Sequence, residues 1–323
     1  MESLRSFPAS LALAFNSSWR ALGALPLPFK GAASFLKSSF IGRQSVEDLP
    51  RNEDLPIHPP HVEVIRTRRY LPPQVTRIIT RGGGNFIGFV DDTTVLKYPC
   101  VAGDMGSIQV EAQILDAVGK HPRIIESRGL TEYGLLLAYA RNGSLYDYIS
   151  LSPSILLSQK LHWCRQAAEA VEYIHTRNVI HCDINLRNLL LDDNLNLVLT
   201  DFQGMLKDAD GKTLLDGFSR ECSKSFAPRS DGDHADRKTD LFALGSAIYF
   251  IMMGHEVFPD LTNHDDDDDE IEARFRNGLF PADDHPCAQI TQRCWKQQYE
   301  SANDLLFDLK QVQLSASNEW IPF

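Results

Sequence analysis

The alternation of apolar and polar positions changes its rhythm part-way along the chain. Residues 75–80, 86–90 and 94–98 form short apolar or β-branched runs, separated by Gly82-Gly83-Gly84 and by Asp91-Asp92-Thr93, which predicts three strands joined by tight turns. From Ser107 the period lengthens: Val110, Ile114, Leu115 and Val118 fall on one face of a helix. Two more strand-like runs are expected around Ile124 and over 134–139, and beyond Gly143 the pattern becomes mainly helical. Leu161, Cys164, Ala168, Val171 and His175 recur at helical spacing, as do Leu241, Leu244, Ala247 and Ile251. Strands first and helices afterwards predict an α+β protein with a small β-rich lobe and a larger helical one.

The first 60 residues stand apart. Residues 1–45 carry Arg5, Arg20, Lys30, Lys37 and Arg43 against the single acid Glu2, and are rich in serine. Arg- and Ser-rich, acid-poor leaders resemble mitochondrial transit peptides, while Pro8, Pro26 and Pro28 interrupt any long amphipathic helix and favour a disordered tail. A polar, Pro-rich stretch over 46–60 reads as a linker. The expected organisation is therefore a leader and linker over 1–60, a β-rich lobe over 61–138 and a helical lobe over 139–323.

Charge narrows the partners. With 32 Lys and Arg against 43 Asp and Glu the net charge is −11, so a nucleic-acid partner is not expected. No run of 18 apolar residues is present, so no membrane span is expected. The six cysteines include no Cys-x-x-Cys pair, which suits reduced thiols and a cytoplasmic or nuclear location, the leader leaving a mitochondrial one open. The acidic run over 265–270 precedes an apolar-periodic stretch and is expected to open a helix, where negative charge complements the dipole.

The densest chemistry is His181-Cys182-Asp183-Ile184-Asn185-Leu186-Arg187-Asn188, with Asp201-Phe202-Gln203-Gly204 thirteen residues beyond Asn188. Residues 189–191 and 195–199 flank Asp192-Asp193-Asn194 and can pair as a hairpin, which would return Asp201 towards Asn188. An Asn and an Asp brought together offer hard oxygens suited to Mg²⁺, with nucleotide phosphates completing the shell. Asp183 on the same loop is then placed to orient or deprotonate a hydroxyl nucleophile. Phosphoryl transfer needs this division of labour, because its catalysis is chiefly positioning and charge neutralisation.

These motifs resemble the eukaryotic protein kinase family, in particular the small divergent kinases of filamentous fungi. His-x-Asp with Asn five places on, followed by Asp-Phe, is similar to the family's catalytic loop and metal-binding motif. Thr94-Val95-Leu96-Lys97 resembles the strand bearing the ATP-binding lysine, and residues 83–90 resemble the Gly-rich loop with Asn85 for its middle glycine. Ala227-Pro228, Asp240-Leu241-Phe242-Ala243-Leu244-Gly245 and Cys294-Trp295 resemble landmarks of the helical lobe. The resemblance implies a bilobal fold, ATP and Mg²⁺ as cofactors, and a protein hydroxyl, Ser/Thr before Tyr, as acceptor. It implies Lys97 paired with Glu111 on the phosphates, Gly83, Gly84 and Gly88 covering them, and Val90, Val95, Ala138 and Ala140 around the adenine. Asn188 and Asp201 would hold the metal, Asp183 would act on the hydroxyl, and Arg187 would offset developing charge.

The sequence also departs from the family pattern. Cys182 replaces the arginine before the catalytic aspartate, Asn185 a lysine, Gln203 a glycine, and Val95 an alanine. With Gln203 in the glycine's place, either Gly204 takes over as the hinge or the segment is held in one state. Arg229 stands where a glutamate is usual, which suggests a charge-reversed ion pair with Glu300 or Asp304. Two other classes stay open: a pseudokinase that binds without turnover, and a small-molecule kinase sharing the Asp and Asn loop.

Overall fold

The computed structural model describes residues 70–152, 154–261 and 265–318. The leader and linker expected over 1–60 lie outside them, as does the start of the β-rich lobe over 61–69. The first three expected strands form as β1 (Arg77–Gly82), β2 (Asn85–Asp91) and β3 (Thr94–Pro99). The helix follows as α1 (Gly106–Val118), then β4 (Ser127–Leu130) and β5 (Leu135–Ala138). The strand expected around Ile124 is reduced to an isolated bridge with Leu199, and the true edge strand begins at Ser127. The five strands make one antiparallel sheet in the order β1-β2-β3-β5-β4.

β3 sits in the middle of the sheet and is buried along its whole length. Successive side chains of a strand point to opposite faces. Leu96 and Tyr98 pack with Val75 and Phe86 on one face, whereas Val95 joins the larger core that Ile108, Ala112 and Leu115 of α1 share with the helical part. Lys97 has the parity of Val95, which brings it to the side of α1.

The rest is mainly helical: α2 (Leu145–Leu151), α3 (Leu157–Thr176), α4 (Arg237–Met253), α5 (Asp265–Arg276), α6 (Ala288–Trp295) and α7 (Ala302–Asn318). α4 is buried on nearly every side, as expected of a helix at the centre of a core. Its start is fixed by a capping box in which Asp236 accepts from the Thr239 N–H at 3.0 Å, and its end by Gly254 at φ 83°. The acidic run opens α5, whose last turn holds Arg274 and Arg276, so both ends complement the helix dipole. Among the described residues no helix is long and apolar enough to cross a membrane.

Between α3 and α4 lie short strands that carry the densest chemistry: β6 (Val179–Ile180), β7 (Leu189–Leu191), β8 (Leu197–Leu199), β9 (Met205–Lys207) and β10 (Thr213–Asp216). β7 and β8 form the expected hairpin, and β9 pairs with both β6 and β10. A 3-10 turn at Ser223–Ser225 leads back towards α4.

Candidate active site

Lys97 reaches from β3 to Glu111 of α1, with Nζ 2.5 Å from Oε2, and makes a second close ion pair with Asp201. The Glu111 side chain is wholly buried and needs donors on both oxygens. Besides Lys97 it accepts from the Phe202 N–H at 3.3 Å and from Gln203 Nε2 at 3.4 Å. Burial alone would lower the Lys97 pKa, but Glu111 and Asp201 outweigh it and hold the ammonium above its ordinary value. The same lysine holds the Asp201 carboxyl below the usual carboxylate range, against the effect of its burial. Gln203, in the place of a glycine, thus ties the Asp201 segment to α1.

Gly83 and Gly84 are the two central residues of the β1–β2 hairpin, at φ 53° and 77°, a backbone that favours glycine in a two-residue turn. Asn85 is buried and donates from Nδ2 to the Gly83 carbonyl at 3.1 Å. Gly88 faces the other way: a Cβ there would lie 2.5 Å from Val75 Cγ1 and 2.9 Å from Tyr98 Cε1, so its glycine admits packing on the outer face.

The same parity corrects the expectation for Val90, which packs with Leu96 and Tyr98 on that outer face. On β2, Phe89 pairs in register with Val95, and Ile87, paired with Lys97, packs against the core that holds Val95. Counting back from the Asp92-Thr93 turn would have missed it, because the register shifts between Phe89 and Asp91 and takes Val90 off the face of Val95. At the end of β5, Ala138 pairs with Thr94, and the Tyr139 N–H donates to the Thr93 carbonyl at 2.9 Å, so Ala138 and Ala140 bracket a segment beside the start of β3.

The loop after β6 is held from below by Asp240 of α4. Its fully buried carboxylate accepts from the His181 N–H (2.8 Å), the Cys182 N–H (3.0 Å) and His175 Nε2 (2.9 Å). These bonds fix Cys182 at φ 62°, a conformation a non-glycine residue adopts only when its surroundings enforce it. Asp183 then presents its carboxylate to two carboxamides, Oδ1 to Asn185 Nδ2 and Oδ2 to Asn188 Nδ2, each at 2.8 Å. Burial pushes its pKa up to about 6 against those bonds. Asn185 therefore orients Asp183. Arg187 is exposed, its guanidinium 3.7 Å from the centre of the Tyr146 ring.

The hairpin does return Asp201 to Asn188: the Thr200 N–H donates to the Asn188 carbonyl at 3.0 Å. Asp201 stands at φ 67°, between that strand end and Lys97. Asn188 and Asp201 offer a carboxamide and a carboxylate oxygen, a donor set that fits Mg²⁺ completed by phosphate oxygens. Among the described residues no cluster of three His, Cys, Asp or Glu side chains could hold a metal without such help. A cavity of about 560 Å³ between the end of α1 and β4 contains none of these residues.

Gly204 has a packing role. A Cβ there would lie 2.2 Å from the Ile180 carbonyl oxygen and 2.4 Å from that of His181, so glycine lets the two segments touch backbone to backbone. Gly204→Ala is expected to cost about 1–3 kcal/mol of stability, read as a lower urea midpoint. An unchanged midpoint would mean that the segments part easily.

Comparison with known proteins agrees with this geometry. Residues 97–316 match the family model described as "Protein kinase domain". The chain is 31% identical over 152 residues to a probable serine/threonine-protein kinase KIN1 homolog of Encephalitozoon cuniculi, covering 46% of this chain and 27% of that protein. It is 38% identical over 103 residues to NUAK family SNF1-like kinase 1 of Mus musculus, covering 31% of this chain and 16% of that one. A dual serine/threonine and tyrosine protein kinase of Gallus gallus is 22% identical over 245 residues, 69% of this chain and 26% of the relative. The matched region thus spans well under half the length of these relatives.

Proposed function

The chain belongs to the protein kinase domain family, and from that premise we propose that it transfers the γ-phosphoryl group of ATP to a protein hydroxyl, on serine or threonine rather than tyrosine. The observation that carries this reading is the assembly of Lys97 with Glu111 and Asp201, and of Asp183 with Asn188, which the Thr200 N–H ties to the Asp201 segment. Relatives named as serine/threonine kinases support the acceptor.

Lys97, kept charged and oriented by Glu111, binds the phosphates beneath the Gly83-Gly84 turn. Ile87 and Val95 pack on the adenine, and the segment from Ala138 to Ala140 runs along its edge. Asn188 and Asp201 hold the Mg²⁺, which when bound neutralises charge on the phosphate oxygens. Asp183 takes the hydroxyl proton as that oxygen bonds to the γ-phosphorus and the bond to the β-γ bridging oxygen breaks, releasing ADP. Arg187, held on Tyr146, acts on the acceptor's side.

A thermal-shift titration with ATP, with and without Mg²⁺, tests the reading on wild type and on Asp201→Asn. At ATP about a hundred times its Kd, binding adds about 2.7 kcal/mol of stability. The expected result is a Mg²⁺-dependent rise in Tm that the variant loses. No shift at millimolar ATP would overturn the reading in favour of a scaffold that has kept only the fold.

A further inference from the structure

Gln203 is buried and anchored through both its side chain and its backbone. Its Nε2 donates at 3.4 Å to Glu111 Oε2, the oxygen that also pairs with Lys97. Its Oε1 faces the roof, 3.9 Å from where a Cβ on Gly83 would stand, so a side chain on that turn would touch it. The Gln203 N–H donates to the Asp201 carbonyl at 2.9 Å, and the Gln203 carbonyl accepts from the Ser219 N–H at 3.0 Å. A Cβ on Gly217 would lie 2.4 Å from that carbonyl oxygen, so the chain after β10 passes directly against it.

These contacts join elements that phosphate binding needs in one arrangement. β3 supplies Lys97, α1 supplies Glu111, and the segment after β8 supplies Asp201 at φ 67°, followed by the fully buried Phe202. Glycine at position 203 would leave this stretch free to take other backbone conformations. Glu111 would then keep only Lys97 and the Phe202 N–H as donors. A buried carboxylate is sensitive to each donor it loses. Because Gln203 supplies one from the segment itself, displacing either α1 or the Asp201 segment breaks the same bond.

We infer that Gln203 is a positioning residue that holds Lys97, Glu111 and Asp201 assembled before nucleotide arrives. The apparent affinity of a ligand falls with the fraction of protein in the competent state. The strut therefore raises affinity for phosphate-bearing nucleotides. It leaves a nucleoside unaffected, because Ile87, Val95 and the segment from Ala138 to Ala140 lie outside it. The inference rests on the kinase reading for the identity of the ligand.

The test uses wild type, Gln203→Met, which keeps the length and removes the donor, and Gln203→Gly, which also frees the backbone. The Tm of each is recorded. In nucleotide-free protein, hydrogen exchange of the peptide spanning 198–206 is expected to be about tenfold faster in Gln203→Met and at least as fast in Gln203→Gly, with α4 unchanged, as loss of one hydrogen bond to a charged group allows. Calorimetric titration should show Kd for Mg²⁺-ATP and Mg²⁺-ADP about tenfold higher in both variants and Kd for adenosine unchanged. Unchanged exchange would overturn the proposal. So would unchanged Kd values for ATP and ADP, or an equal loss of adenosine binding, which would make Gln203 a packing residue only. Failure of the kinase reading shows separately: wild type then binds neither ATP nor adenosine, while the exchange difference still reports the strut.

Discussion

Asp183→Asn is expected to lower kcat by about 10²–10⁴, the usual worth of a positioned general base, while the ATP-induced rise in Tm persists. The Asn185 and Asn188 carboxamides bond to its two carboxylate oxygens at 2.8 Å each, and both also donate to the Asp183 backbone carbonyl. An asparagine amide would turn an N–H against one of those donors, so the variant also loses stability, by roughly 1–3 kcal/mol for an unsatisfied buried group. Turnover should therefore be measured well below the variant's Tm, with ATP binding followed in the same samples. A kcat within tenfold of wild type would remove Asp183 from the chemistry. Loss of ATP binding as well would mean that the loop, and not the proton transfer, had been damaged.

Separating Arg229 from its partner is expected to cost about 3–5 kcal/mol, the usual result of stranding one member of a buried pair. The partner is Glu221, eight residues upstream, and not Glu300 or Asp304. Arg229 Nη2 lies 2.8 Å from Glu221 Oε2, and the Glu221 side chain is wholly buried. Arg229 also donates to the Ala227 carbonyl at 3.1 Å and the Gly232 carbonyl at 2.9 Å, and lies over the Phe226 ring. Burial raises the Glu221 pKa and Arg229 works against that rise, as expected of a carboxylate whose charge depends on one neighbour. Glu300 is engaged elsewhere, with Lys238 at 3.1 Å, and its side chain is 80% exposed. At about 2–4 °C per kcal/mol for a domain of this size, Arg229→Glu should lower Tm by roughly 6–20 °C. Adding Glu221→Arg should restore part of the loss, whereas adding Glu300→Arg should restore none. Simple additivity of Arg229→Glu with Glu221→Arg would refute the pairing.

Local pattern made much of this molecule legible. Strand and helix periods depend on which neighbours in the chain share a face, so β1 to β3, α1, α3 and α4 could be read directly. The hairpin between Asn188 and Asp201 followed from two apolar runs and a polar turn, and it delivers the two residues to each other. The family resemblance pointed to Lys97 and Glu111, and the packing of α1 on β3 brings them together.

What resisted was whatever depends on a partner far along the chain or on the parity of a face. Val90 and Ile87 are both apolar residues of β2, and only the sheet decides that Ile87 shares the face of Val95 while Val90 lies with Tyr98. Gly204 was legible as a glycine next to an altered motif. That it is needed for backbone contact with Ile180 and His181 depends on β9 lying against β6.

The sequence by itself determined the order of elements, the chemistry of the loop around Asp183 and the family to which the chain belongs. Each of these is written in residue types at short, fixed separations. Only the tertiary structure decided that Gln203 bonds Glu111, that Asn185 orients Asp183, that Arg229 takes Glu221, and that Arg187 rests on Tyr146. Those choices are made by burial: several candidate partners are near in sequence or charge, and the one that keeps each buried polar group bonded is selected when the elements pack.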